Sequence, residues 1–94
     1  MAKRLTVEFV INEGMGADFE SIVLPVTQRV RDEDPGCIHY HLYQCLDEDD
    51  RYVLIEAWEN ADTLDAHGKS PATEGFAKLT GLLAEKPVLH RYED

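Results

Sequence analysis

The chain has 94 residues, 44% of them apolar, and a formal net charge of −10. That length and apolar content fit one domain with a small core. The acidic balance argues against nucleic acid and anionic membrane as partners, and no run of about 18 apolar residues is present to span a bilayer.

The N-terminal stretch MAKRLTVEFV has no small-residue cleavage site behind an apolar run, which predicts no secretory signal and a cytoplasmic location. Leu5, Val7, Phe9 and Ile11 alternate with mostly polar neighbours, Val10 excepted, and predict a first strand that ends at Asn12-Glu13-Gly14. Phe19, Ile22, Val23, Val26 and Val30 recur at helical spacing, so a first helix is expected over Ala17 to Asp32. Pro25 lies inside it and is expected to kink it, and Pro35-Gly36 stops the region.

Cys37 to Leu46 is β-branched and aromatic enough for a second strand, Asp47 to Asp50 reads as a hairpin turn, and Tyr52 to Trp58 as a third strand. Asn60 is a plausible N-cap and Gly68 a stop for a short helix over Ala61 to His67. Ser70-Pro71 reads as an N-cap with proline at the first helical position, opening a third helix with Ala72, Phe76, Leu79 and Leu83 along one face. Pro87 ends it, and Val88 to Tyr92 form a last strand. The order β-α-β-β-α-β, with its second α split in two, predicts a ferredoxin-like α+β domain over residues 1–94, with a four-stranded antiparallel sheet.

In that topology the helices lie on one face of the sheet, and the other face is polar if it meets water. The third strand breaks this rule: Val53, Ile55 and Ala57 are apolar on one face, and Leu54 and Trp58 on the other. Both faces therefore call for cover, which predicts a homodimer packed sheet to sheet. Cys37 and Cys45, if on one strand, stand roughly 26 Å apart and cannot form a disulfide with each other.

His67 closes the short helix one turn beyond Leu64 and shares its inward face. Histidine ordinarily titrates near about 6.5, which suits proton transfer at neutral pH. Trp58 offers a flat apolar wall for an aromatic ring, and Phe76 another apolar side chain from the third helix. Glu56 is the odd residue of its strand and needs a partner if buried. If Leu46 pairs with Arg51, His41 faces Glu56 and His39 faces Trp58, and both share a face with Tyr43 and Leu54; a slip of one residue puts Tyr40 and Leu42 there instead.

No metal is expected. The H-x-H of His39 and His41 beside Glu56 is a common accident, and Asp47 to Asp50 lacks the spacing and glycine of a calcium loop. No nucleophile with base and orienter is legible, nor a glycine-rich phosphate loop, which removes hydrolase, nucleotide and flavin readings built on common motifs.

Several of these residues carry a family resemblance: Pro35-Gly36-Cys37-Ile38 leading to Tyr40 and Leu42, then Glu56-Ala57-Trp58, Leu64 and His67, Ser70-Pro71, and Pro25 within the first helix. In this pattern the chain resembles the antibiotic biosynthesis monooxygenase family, of dimeric α+β barrel fold. It departs at Asn60, Thr63 and Ala72, where members often have aspartate, alanine and histidine.

The resemblance implies a homodimer with a pocket in each subunit between sheet and helices. It implies oxidation of a small phenolic, quinol or polyketide-type aromatic with O2, without flavin, haem or metal. His67 would accept the proton, Trp58 would be the platform, and His41 or Glu56 the orienting groups; His39, Tyr43, Leu54 and Phe76 would line the substrate site. The same fold group also holds isomerases, haem-degrading proteins and members without assigned activity. An isomerase or lyase in the same pocket, or a small-molecule-binding, stress-associated dimeric barrel without catalysis, are the alternatives.

Overall fold

The computed structural model describes residues 2–93. Four strands, β1 (Lys3–Val10), β2 (Cys37–Gln44), β3 (Arg51–Trp58) and β4 (Val88–Glu93), form one antiparallel sheet in the order β2-β3-β1-β4. One face carries α1 (Gly16–Glu33), α2 (Ala61–His67) and a 3-10 segment over Pro71–Leu79. This is the expected ferredoxin-like arrangement. Among the described residues no helix is long and apolar enough to cross a membrane.

The short elements are held at their ends. Asn60 Oδ1 accepts the Thr63 N–H at 2.9 Å and the Asn60 N–H reaches Thr63 Oγ1 at 3.3 Å, a reciprocal cap that starts α2. Ser70 Oγ accepts the Ala72 N–H at 3.1 Å, with Pro71 at the first position of the 3-10 segment. Helix α1 runs continuously through Pro25. The third helix is not α-helical as expected. Gly75 lies against α1 so closely that a Cβ there would stand 2.6 Å from Val26 Cγ2, and the segment takes the tighter 3-10 form beside it. Phe19, Val23, Val30, Tyr40, Leu54 and Trp58 fill the space between helices and sheet. Each fully buried aliphatic side chain contributes about 1.5–3 kcal/mol.

Gly36 turns the chain from α1 into β2 with φ +79°, and a Cβ there would also run into Thr63 of α2. Gly36→Ala is expected to cost at least about 1–3 kcal/mol, seen as a lower urea midpoint with an unchanged slope.

The β2–β3 hairpin corrects the sequence reading. Cys45, not Leu46, closes onto Arg51, its N–H donating to the Arg51 carbonyl at 2.9 Å, and the loop is one residue longer than expected. The extra residue is held by the loop's own bonds, Gln44 Nε2 to the Asp49 carbonyl and the Arg51 N–H to the Glu48 carbonyl. The register becomes Tyr40 opposite Glu56 and Leu42 opposite Leu54, while His39 and His41 stand opposite Ala57 and Ile55. One step of slip turns every β2 side chain over. The observed phase buries Tyr40 and half-buries Leu42 under the helices; the expected one would turn two imidazoles and a phenol there instead. Cys37 and Cys45 both stay free thiols.

The second face of the sheet carries no helix. Val53, Ile55 and Ala57 of β3, Val88 and Tyr92 of β4 and Tyr43 of β2 lie on it, and Ile55, at the centre of the sheet, is 37% exposed.

Candidate functional site

Glu56 and Trp58 are two residues apart on β3 and project to the helix-bearing face, where α2 delivers His67 from above. All three are buried, Glu56 to 5% exposure and His67 to 8%. The imidazole lies on the indole, ring centres 4.5 Å apart, and meets the Tyr40 ring edge-on at 5.1 Å. This aromatic corner fixes the ring's plane.

Its rotation is fixed by Asp34. One carboxylate oxygen of Asp34 lies 2.8 Å from His67 Nδ1, and the other accepts the Ser70 hydroxyl at 2.6 Å. The Asp34 side chain is 8% exposed. A carboxylate only accepts, so Nδ1 carries the hydrogen, and in the neutral imidazole Nε2 is then the nitrogen with the lone pair. Nε2 faces Glu56 Oε1 at 3.7 Å, too far for a hydrogen bond, while that oxygen accepts the Trp58 Nε1–H at 3.1 Å. The chemical yield is an oriented base with one free nitrogen, beside a carboxyl group in a dry corner.

Burial raises the Glu56 carboxyl above the ordinary carboxylate range, opposed by the indole hydrogen bond and by the positive charge that His67 and Arg91 can bring. A carboxyl raised in the folded state binds its proton more tightly there than in the unfolded chain. The resulting stabilisation is full below the unfolded value of 4.5 and is lost as pH rises through the folded value. Wild type is therefore expected to lose stability relative to Glu56→Gln as pH increases above that point, measured by urea unfolding between pH 4 and 8.

A cavity of about 360 Å³ lies between the sheet and the 3-10 segment, with His67 in its lining. Val7, Phe9, Leu54, Phe76 and Leu79 give it apolar walls, and Tyr40, Glu56 and His67 its polar end. Burial, with Glu56 and Asp34 nearby, pushes the Tyr40 phenol far up, so it stays a neutral hydroxyl. A second cavity of about 570 Å³, under α2 and against β1 and β4, shares Glu56 and His67 as a common wall.

The structure thus brings together His67, Glu56, Leu54 and Phe76. Trp58 is close by, but it is fully buried and backs the imidazole instead of facing the cavity. His39, His41 and Tyr43 are not at the site: the register puts them on the opposite face of the sheet. There His39 Nε2 meets the Tyr43 hydroxyl at 2.8 Å and Arg31 approaches His41 Nδ1 at 3.5 Å. The orienting role expected of His41 or Glu56 falls on Asp34, and His39 and His41 cannot converge with Glu56 on a metal. Among the described residues the one cluster with metal-ligand spacing is Cys45, Asp47 and Glu48 in the exposed hairpin loop.

Sequence reasoning missed Asp34 and Ser70 as parts of the site, and gave Tyr40 there only as the outcome of a one-residue slip. A signal for Asp34 existed. It ends α1 after Asp32 and Glu33, where a carboxylate opposes the helix dipole. The Asp32 and Glu33 side chains are engaged by Gln28 and Arg29 on α1 itself, whereas the Asp34 carboxylate is engaged by His67 and Ser70 from beyond the helix.

The family model for antibiotic biosynthesis monooxygenases matches residues 4–79. A solved Caulobacter crescentus protein, proposed to be an antibiotic biosynthesis monooxygenase, superposes with a TM-score of 0.92 at 22% identity, over 99% of this chain and 89% of that one. A conserved Methanosarcina mazei protein superposes at 0.90 and 22% identity, over 99% and 92%. A Bacteroides thetaiotaomicron protein of unknown function does so at 0.88 and 23%, over 99% and 97%. At these identities the likeness establishes the fold. An uncharacterised Synechocystis protein is 35% identical over 55 residues, which are 58% of this chain and 37% of that protein.

Proposed function

The chain belongs to the antibiotic biosynthesis monooxygenase family, and from that premise we propose that it oxidises a small phenolic or quinol-type aromatic with O2, without an organic cofactor or metal. The observation that carries this is the Asp34–His67 pair: a buried imidazole whose Nδ1 is held by Asp34, in the lining of an apolar cavity. Deprotonating a bound phenol is what such a group does well.

In the proposed reaction Nε2 takes the phenolic proton. The phenolate passes one electron to O2, and the phenoxyl radical and superoxide combine at a ring carbon. The imidazolium returns its proton to the peroxide. Loss of water then leaves a carbonyl, so one oxygen atom stays on the product and the other leaves as water. The apolar walls exclude solvent from the anion and fix the ring near Nε2. A neutral Tyr40 hydroxyl can donate to the substrate oxygen.

We further propose that a second copy covers the open sheet face. Its support is the row of apolar residues at Val53, Ile55 and Ala57 on a surface without a helix.

The test is oxygen uptake by chelator-treated protein given anthrone or a naphthohydroquinone. Turnover above the buffer rate is expected, with one O2 consumed per product carbonyl formed. A panel of such compounds with no enzyme-dependent uptake overturns the reading.

A further inference from the structure

The cavity on the far side of the Glu56–His67 wall has a different character from the first. Leu5, Leu64 and Leu89 form its apolar surface, and Lys69 and Arg91 stand on it as cations. Arg91 is paired with Leu5 in the β1–β4 ladder, and Leu5 with Glu56 in the β1–β3 ladder. Arg91 and Glu56 therefore project from the same helix-bearing face, with only β1 between their strands. No helix roofs β4, which leaves Leu89 48% exposed and the cleft open to a ligand.

Two cations without an ion-pair partner among the described residues share one cleft, in a chain with 19 acidic and 9 Lys and Arg residues. Arg29 and Arg51 are held by Glu33 and Glu48, and Arg31 by Gln28 and the Tyr40 carbonyl. No carboxylate among the described residues forms an ion pair with Lys69 or Arg91. Asp65 and Glu56 line the same cleft without an ion pair to either of them, and Arg91 acts on the Glu56 carboxyl through its charge alone. A planar guanidinium beside an ammonium, over an apolar floor, is the arrangement that takes a carboxylate carried on a ring.

Resting on the phenol-oxidation reading above, we infer that this second cavity takes an aromatic acid of the substrate's class, its anionic group held by Arg91 and Lys69 and its ring lying on Leu5, Leu64 and Leu89 beside His67.

The probe is 1-hydroxy-2-naphthoate against its neutral methyl ester, titrated calorimetrically into the full chain without oxygen. The acid is expected to bind roughly tenfold or more tighter, with a preference that shrinks in 0.5 M salt and disappears in the Arg91→Gln/Lys69→Gln double variant. Asp65→Asn is expected to strengthen binding of the acid. Equal or tighter binding of the ester overturns the inference, as does a preference that survives in the double variant. A double variant that changes sedimentation behaviour along with the preference also overturns it, because the cations then belong to a subunit contact. Tight, acid-selective binding with no oxygen uptake overturns the monooxygenase reading alone, and failure of both compounds to bind overturns both.

Discussion

His67→Gln is expected to lower the rate of oxygen-dependent oxidation by about 10²–10⁴-fold, the usual worth of a positioned base. Glutamine fills similar space and can still reach Asp34, so the fold is retained and the loss lies in the chemical step. The expected pattern is a collapse of kcat with a modest change in KM, because Val7, Leu54 and Phe76 still bind the ring. Asp34→Asn is expected to go part of the way. The carboxylate now accepts from both Ser70 and His67. An amide has one acceptor oxygen for these two donors, and its N–H group must face one of them. Where it faces Nδ1, the imidazole hydrogen moves to Nε2 and the base is lost. Circular dichroism identical to wild type, with kcat unchanged in both variants, would remove His67 from the mechanism.

The second large effect is expected at the sheet surface. Ile55→Arg places a charge at the middle of the face for which a second copy is proposed. Burying an unpaired charge costs about 3–5 kcal/mol, and two-fold symmetry enters it twice. Sedimentation velocity is expected to show dimers for wild type at micromolar concentration and monomers for the variant. Because Ile55 points away from α1 and the 3-10 segment, the helix-side core is left intact. A wild-type chain that sediments as a monomer ends the proposal of a covering copy.

These two expectations depend on different levels of information. That both faces of β3 are apolar is written in its alternation, Val53, Ile55 and Ala57 against Leu54 and Trp58. So were the element order, the Asn60 and Ser70 caps and the inward turn of His67, since each depends on residues a few positions apart. Local rules of spacing and capping decide such features, and the structure agrees with them. The β2 phase was harder. A run such as Cys37-Ile-His-Tyr-His-Leu-Tyr carries apolar or aromatic residues in both phases, so its periodicity chooses no face. A single loop residue at Leu46 then moved His39, His41 and Tyr43 away from the site and brought Tyr40 in.

The amino-acid sequence by itself determined the fold class, the family pattern and the three residues Glu56, Trp58 and His67 that gather at the end of β3. Tertiary structure alone decided what orients the base. Asp34 is 33 residues from His67, and Ser70 is 36 from Asp34. The Gly36 turn beneath Thr63 brings the end of α1 against α2. Hydrogen bonds over such separations leave no local period to read, because they form only after packing has set the distance between the elements that carry them.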